Sequence, residues 1–152
     1  MDMKERLLND MKEAMKAGDK LKTGVIRMLR AEIINKENEK PGAEVDDPAV
    51  ISLIQKMIKQ GKEAAEQYEK GGRPERAELE KQEIQILEAY LPPRMPEWEI
   101  KEIIQGVISE TGASGPHDMG KVMGVVMKKL KETGKIIEGK QVGEIVKTLL
   151  SE

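Results

Sequence analysis

Cysteine and phenylalanine are absent from this 152-residue chain, and histidine and tryptophan occur once each. Without cysteine there is no disulfide, no thiolate metal site and no cysteine nucleophile. The single histidine, His117, has no second imidazole or thiolate with which to share a transition metal. We therefore expect no metal site and no cofactor, and we interpret His117 as a residue that flanks a helix start.

Long apolar segments are also missing. No stretch approaches the roughly 18 uninterrupted apolar residues of a membrane-spanning helix, and the charged N-terminus, MDMKERLLNDMKEAM, has no apolar signal core. The composition predicts a cytoplasmic protein with no membrane partner. It does not predict an oligomeric state.

The sequence motifs of self-sufficient enzymes are lacking as well. There is no Walker loop, no dinucleotide fingerprint and no G-x-S-x-G elbow. The carboxylate-rich segment ERAELEKQE, Glu75 to Glu83, is interpreted as a solvated helix face with i,i+4 pairs. We predict no catalytic residue from these patterns.

What the chain does contain is typical of helices. Charged residues make up 36% of the sequence and aromatic residues 2%, and Ala, Leu, Ile, Met, Glu and Lys are favoured helix formers. Apolar residues recur at helical spacing in seven segments. The segment YLPPRMPEW, Tyr90 to Trp98, interrupts this pattern because its prolines cannot continue a helix.

The predicted fold is all-α, with a four-helix N-terminal part (1–92) and a three-helix C-terminal bundle (96–152) joined by a proline-rich hinge. The third helix is expected to begin near Asp47-Pro48, with Asp47 as its capping residue, and Gly134 to end the sixth. The first helix is expected from about Met3 to Ala17, the second from about Lys20 to Asn38, and the third from near Asp47 to the KGGRP segment that begins at Lys70. The fourth begins at about Pro74 and reaches Leu91, and the fifth follows the proline segment and is broken by TGASGP, which begins at Thr111. The sixth is Asp118 to Lys131, and the seventh runs from about Lys140 to Leu150.

The sixth helix, DMGKVMGVVMKKLK, has glycine at positions 120 and 124, although an interior glycine costs about 1 kcal/mol relative to alanine. A helical wheel places both between a lysine strip and a buried stripe of Met119, Met123, Val126 and Leu130. From Lys121 to Lys140 the chain has six lysines against two glutamates, a local charge of +4, although the whole chain carries −2.

Two interpretations of these glycines remain open. In the first, the missing side chains let another helix cross closely, and the lysines only solvate the flank. In the second, a phosphate chain approaches the bare backbone while lysines neutralise it. The second interpretation predicts a nucleic-acid contact made by Gly120, Lys121, Gly124, Lys128, Lys131 and Lys135.

Several segments together resemble the YqeY family: LLNDMKEAMKAGDKLKTGVIRMLRAEI, GGRPERAELEKQEIQILEAYLP, the sixth helix, and GK…GKQVGEIVKTLL. The same module forms the C-terminal tail of GatB, the tRNA-binding subunit of the glutamine-dependent aspartyl/glutamyl-tRNA amidotransferase. The resemblance implies an all-helical fold, a GatB/YqeY-type C-terminal domain and a link to tRNA and translation. One departure is the loop after the sixth helix, where Glu138-Gly139 replaces a common Asp-Gly and follows Ile136-Ile137.

The resemblance also implies a family label, carbon–nitrogen ligase activity with glutamine as amido-N-donor. Glutamine hydrolysis needs an activated nucleophile, and carboxyl activation needs ATP and magnesium. The sequence shows neither an activated nucleophile nor a motif that binds ATP and magnesium. We therefore expect both steps to belong to other domains of the amidotransferase. Two main hypotheses follow: a tRNA-associated accessory module, or a module that docks on a tRNA amidotransferase or synthetase without binding RNA itself. A third hypothesis, that the chain performs an amidotransferase step itself, would be tested by a glutaminase assay on the pure protein, and we expect no activity.

Overall fold

The computed structural model describes residues 2–42 and 44–152, and within these residues all regular structure is helical apart from one isolated bridge between Arg94 and Ile136. This confirms the all-α fold class. A single 3₁₀ turn, Pro116–Asp118, precedes the sixth helix. The helices are α1 Met3–Lys16, α2 Lys20–Glu39, α3 Asp47–Lys70, α4 Pro74–Glu88, α5 Glu97–Thr111, α6 Met119–Glu132 and α7 Gly139–Leu150.

Aspartate caps start the first three helices. The carboxylates of Asp2, Asp19 and Asp46 each accept a hydrogen bond from the backbone N–H three residues later, at 2.9–3.1 Å. Such caps satisfy amides that have no partner inside the helix. The prediction that Asp47 caps α3 was wrong by one residue, because Asp46 takes that role and Asp47 is the first helical residue.

The chain divides into two compact units, which meet in sequence between Leu91 and Pro92. The N-terminal unit contains α1 to α4. Its core contains Leu7, Ile26, Leu29, Val50 and Ile54, each at most 1% exposed. At Gly61 the backbone of α3 approaches α4 so closely that an added Cβ would lie 3.0 Å from Ile84 Cγ1.

The C-terminal unit contains α5, α6 and α7. Its core is a single apolar cluster to which all three helices contribute side chains that are completely buried: Ile100, Ile104 and Val107 from α5, Val122, Val126 and Leu130 from α6, and Val142 and Val146 from α7.

Two features shape the ends of helices in this unit. Gly134, with φ of +72°, follows α6 and ends it as predicted, because side chains disfavour this left-handed conformation. The loop between α6 and α7 is then tied to the segment before α5. Met95 N–H donates to the Ile136 carbonyl at 2.9 Å, and Ile136 N–H donates to the Pro93 carbonyl at 3.0 Å. These bonds hold the loop in place.

None of the helices in residues 2–42 and 44–152 combines the length and the hydropathy needed to cross a bilayer.

Candidate nucleic-acid interface

The start of α6 is built by a short 3₁₀ turn. The Asp118 carboxylate accepts a hydrogen bond from the Ser114 N–H at 3.0 Å and lies 3.6 Å from His117 Nε2. The His117 ring is exposed, in agreement with the prediction that it flanks a helix start. Because Asp118 carries negative charge here, the first turn of α6 does not favour an approaching anion.

The buried face of α6 differs in part from the prediction. Val126 and Leu130 are completely buried, as expected, whereas Met119 and Met123 are only partly buried at the edge of the core. Val122, which the wheel did not single out, is also completely buried. The short valine side chains fill the centre of the three-helix contact, and the longer, flexible methionines cover its rim.

The opposite side of α6 presents Gly120, Lys121, Gly124, Lys128 and Lys131, all exposed. We call these five residues the glycine–lysine face. A Cβ added at either glycine would meet no atom of the described chain within 4 Å. Within the C-terminal unit no described helix therefore crosses closely at these glycines, contrary to the first interpretation.

The lysines of this face carry uncompensated charge. Among residues 2–42 and 44–152, Lys121, Lys128 and Lys131 form no ion pair. Lys129, on another side of α6, differs because its ammonium lies 2.9 Å from the Glu110 carboxylate of α5. The three lysines without an ion pair in the described ranges thus lie on the same side of α6 as the two open glycines.

The structure does not bring Lys135 into this face. Lys135 follows α6 in the loop, and its ammonium donates to both carboxylate oxygens of Glu99, at 2.9 and 3.1 Å. Lys135 is therefore occupied by an ion pair with the first turn of α5, unlike the other three predicted lysines.

Further contacts anchor the loop that follows Lys135. Glu138 forms an ion pair with Arg94, and Ile137 packs against the core of the C-terminal unit. Ile136 is partly buried and forms the backbone bridge to the segment before α5. This anchoring was not predicted from the sequence, although the apolar Ile136-Ile137 pair is a signal that could have indicated it.

The glycine–lysine face is an elongated strip of exposed positive charge. From Gly120 to Lys131 it runs for about 16 Å along the helix axis, at ~1.5 Å per residue. In the described part of the chain, no group of three or more histidine, aspartate or glutamate side chains is arranged to hold a metal ion.

The family model for YqeY, described as Yqey-like protein, matches residues 4–150. The chain belongs to the YqeY family. A relative from Pyrenophora tritici-repentis, named altered inheritance of mitochondria protein 41, mitochondrial, is 32% identical over 148 residues, or 95% of this YqeY-family chain and 79% of the relative. A relative of the same name from Lachancea thermotolerans is 35% identical over 118 residues, or 76% of this chain and 63% of the relative.

These relatives correct the expected localisation. The lack of apolar segments predicted a cytoplasmic protein, but the names of the similar proteins place them in mitochondria, which contradicts that expectation. The lack of apolar segments indicates folding in water, and because the interior of an organelle is as aqueous as the cytosol, this pattern does not distinguish the two compartments.

Proposed function

We propose that this YqeY-family protein is a tRNA-associated accessory module whose glycine–lysine face holds the sugar–phosphate backbone of the tRNA. One observation carries the proposal: Gly120 and Gly124 are open to solvent beside three lysines that have no carboxylate partner among the described residues. Two interior glycines cost about 1 kcal/mol each in helix propensity, a cost that close approach of a ligand would explain.

The proposed contact is directed at the backbone rather than at the bases. Lysine ammonium groups neutralise phosphates and release condensed counterions, which makes such binding strongly salt-dependent. Helix α6 contains no aromatic residue on which a base could stack. We therefore assign shape and charge, not base sequence, as the recognised features.

The choice of tRNA as the nucleic acid is supported by the resemblance of the C-terminal unit to the tail of GatB. We do not assign the family's carbon–nitrogen ligase label to this chain. In the proposed role, activation of the carboxyl group and supply of ammonia from glutamine belong to a partner enzyme, and this chain contributes binding.

A second candidate function is docking on a tRNA amidotransferase or synthetase without contact to RNA. Exposed large apolar side chains favour it: Trp98 is 66% exposed and Met28 is 58% exposed. Aromatic and methionine side chains are enriched at protein interfaces. Co-purification of a protein partner that survives nuclease treatment would support this second function.

Fluorescence anisotropy of labelled tRNA, titrated with the full chain at low salt, tests the first function. The double variant Lys121→Glu/Lys128→Glu should weaken binding at least tenfold, since it replaces two phosphate-contacting cations with anions. Lys59→Glu/Lys62→Glu on α3 is the matched control, because it makes the same change in net charge at exposed residues of the N-terminal unit. Absence of binding by the parent chain, or equal losses in both double variants, would overturn the proposal.

A further inference from the structure

The N-terminal unit has an apolar groove with a cavity volume of about 220 Å³, formed by α2, α3 and α4. We call it the α2–α4 groove. Its apolar lining includes Met28 from α2, Met57 and Ala64 from α3, and Ile84 and Leu87 from α4. This volume is below the roughly 300–1,000 Å³ of typical small-molecule sites. The size therefore favours a few side chains of a macromolecule over a compact ligand.

The floor of the groove is apolar because the helical spacing of α3 and α4 places apolar residues side by side along it. Met57, Gly61 and Ala64 lie on one stripe of α3, and Ile84 and Leu87 lie on one stripe of α4. Gly61 brings these two stripes together. Met28 lies at the edge of the groove and is 58% exposed. Flexible, polarisable methionine side chains adapt to partners of differing shape.

Two carboxylates line the groove beside this apolar floor. Glu80 and Glu83 are partly buried, and neither takes part in an ion pair within the described ranges 2–42 and 44–152. Burial first, and the charge of Glu80 second, raise the pKa of Glu83. The groove residues from α2 and α3 are Val25, Met28, Met57, Gln60, Gly61 and Ala64, none of which titrates. The two anions therefore have no cation beside them in the groove.

We infer that the α2–α4 groove binds a basic amphipathic helix of a protein partner. Its apolar side chains would enter the methionine-edged floor, and its lysine or arginine side chains would pair with Glu80 and Glu83. An amphipathic helix laid in a groove is a common mode of peptide recognition. The carboxylates supply the complementary charge and repel nucleic acid and anionic lipid surfaces. This inference is independent of tRNA binding by α6.

The test uses the full chain and two synthetic helical peptides of about 15 residues. Both have leucines at i, i+3, i+4 and i+7; one has lysines at its polar positions and the other has glutamates. The lysine peptide should bind and shift the methyl resonances of Met28 and Met57, and the glutamate peptide should do neither. If the lysine peptide does not bind, or if both peptides bind equally, the inference is overturned.

Charge variants on α4 locate the contact. Glu80→Gln/Glu83→Gln should weaken binding of the lysine peptide by about three- to tenfold, as expected for two partly exposed ion pairs. Glu75→Gln/Glu78→Gln is the matched control, because these carboxylates lie on the same helix, are exposed and do not line the groove. Equal losses in the two variants would contradict binding at the groove. Binding of tRNA should stay unchanged in both, so failure here is separable from failure of the proposed function.

Discussion

Lys135 donates to both oxygens of the Glu99 carboxylate, at 2.9 and 3.1 Å, and thereby links the loop after α6 to the first turn of α5. The two residues are 36 positions apart in the chain. From its place in the sequence alone, Lys135 was expected to belong to the glycine–lysine face. The ion pair instead gives Lys135 a role in the fold, whereas the other three predicted lysines have no ion pair among the described residues.

The first prediction separates these two roles. Lys135→Ala should destabilise the protein by about 0.5–1 kcal/mol, the upper range for a partly exposed ion pair, since it leaves the partly buried Glu99 without a cation. Lys131→Ala should change stability by less than about 0.5 kcal/mol but weaken tRNA binding and reduce its salt slope by about one. Urea denaturation and anisotropy measure the two effects. A stronger loss of RNA affinity in Lys135→Ala than in Lys131→Ala would contradict this division.

The second prediction concerns the glycines of α6. Gly124→Ala, and separately Gly120→Ala, should stabilise the protein by about 0.5–1 kcal/mol, because alanine favours the helix and the added methyl group has open space. The same substitutions should weaken tRNA binding if phosphates contact the bare backbone. Thermal unfolding and anisotropy on the same samples measure both.

Stability and affinity distinguish the possible roles of these two glycines. Lower stability of the alanine variants would mean that the glycines do have a packing role. Higher stability with unchanged tRNA affinity would leave the lysines as the sole contacts and remove the backbone from the proposed site.

Much of this arrangement could be predicted from local sequence pattern. Helical spacing indicated the all-α class, the end of α6 at Gly134 and the burial of Val126 and Leu130, because each depends on residues within a few turns. It also placed Lys121, Lys128 and Lys131 on one side of α6. These are properties of a single helix.

What could not be predicted depends on residues distant in sequence. A helical wheel shows on which side of α6 Gly120 lies, but only the positions of the other helices show that no described residue lies within 4 Å of a Cβ added there. The pairing of Lys135 with Glu99 likewise needs the loop to lie against α5. Gly61 is the opposite case. Its sequence context predicts no special role, yet the Ile84 side chain of α4 lies against its backbone.

The third prediction concerns the contact between Gly61 of α3 and Ile84 of α4. In Gly61→Ala the new methyl group would lie 3.0 Å from Ile84 Cγ1 and 3.3 Å from its Cδ1. Overpacking of this kind costs about 1–3 kcal/mol, which exceeds the gain of about 1 kcal/mol in helix propensity. We expect a net loss of up to about 2 kcal/mol, measured by urea denaturation, whereas Gly124→Ala gains stability.

A double-mutant cycle identifies the clashing partner. In an Ile84→Ala background the obstructing carbons are gone, so Gly61→Ala should become neutral or stabilising. If Gly61→Ala costs the same in both backgrounds, contact with Ile84 is not the cause.

The fourth prediction concerns Tyr90, a buried residue whose hydroxyl donates to the Asp10 carboxylate at 2.5 Å. The Arg6 guanidinium lies over the same ring, 4.6 Å from its centre. Tyr90→Phe keeps the ring and removes the hydrogen bond, so it should destabilise the protein by about 1–2 kcal/mol at neutral pH. Phenylalanine at Tyr68, for which no such hydrogen bond is found among the described residues, serves as the control and should change stability little.

The same hydrogen bond predicts an alkaline limit to stability. Burial first, then the hydrogen bond to Asp10, raise the pKa of Tyr90 well above its ordinary value of 10.0. The folded state therefore holds the phenolic proton at pH values where the unfolded chain releases it, and the resulting stability is present below about pH 10 and lost as the pH rises further. Denaturation at pH 8 and at pH 11 should show a smaller loss for Tyr90→Phe than for the parent chain. Equal losses would mean that ionisation of Tyr90 does not limit stability at high pH.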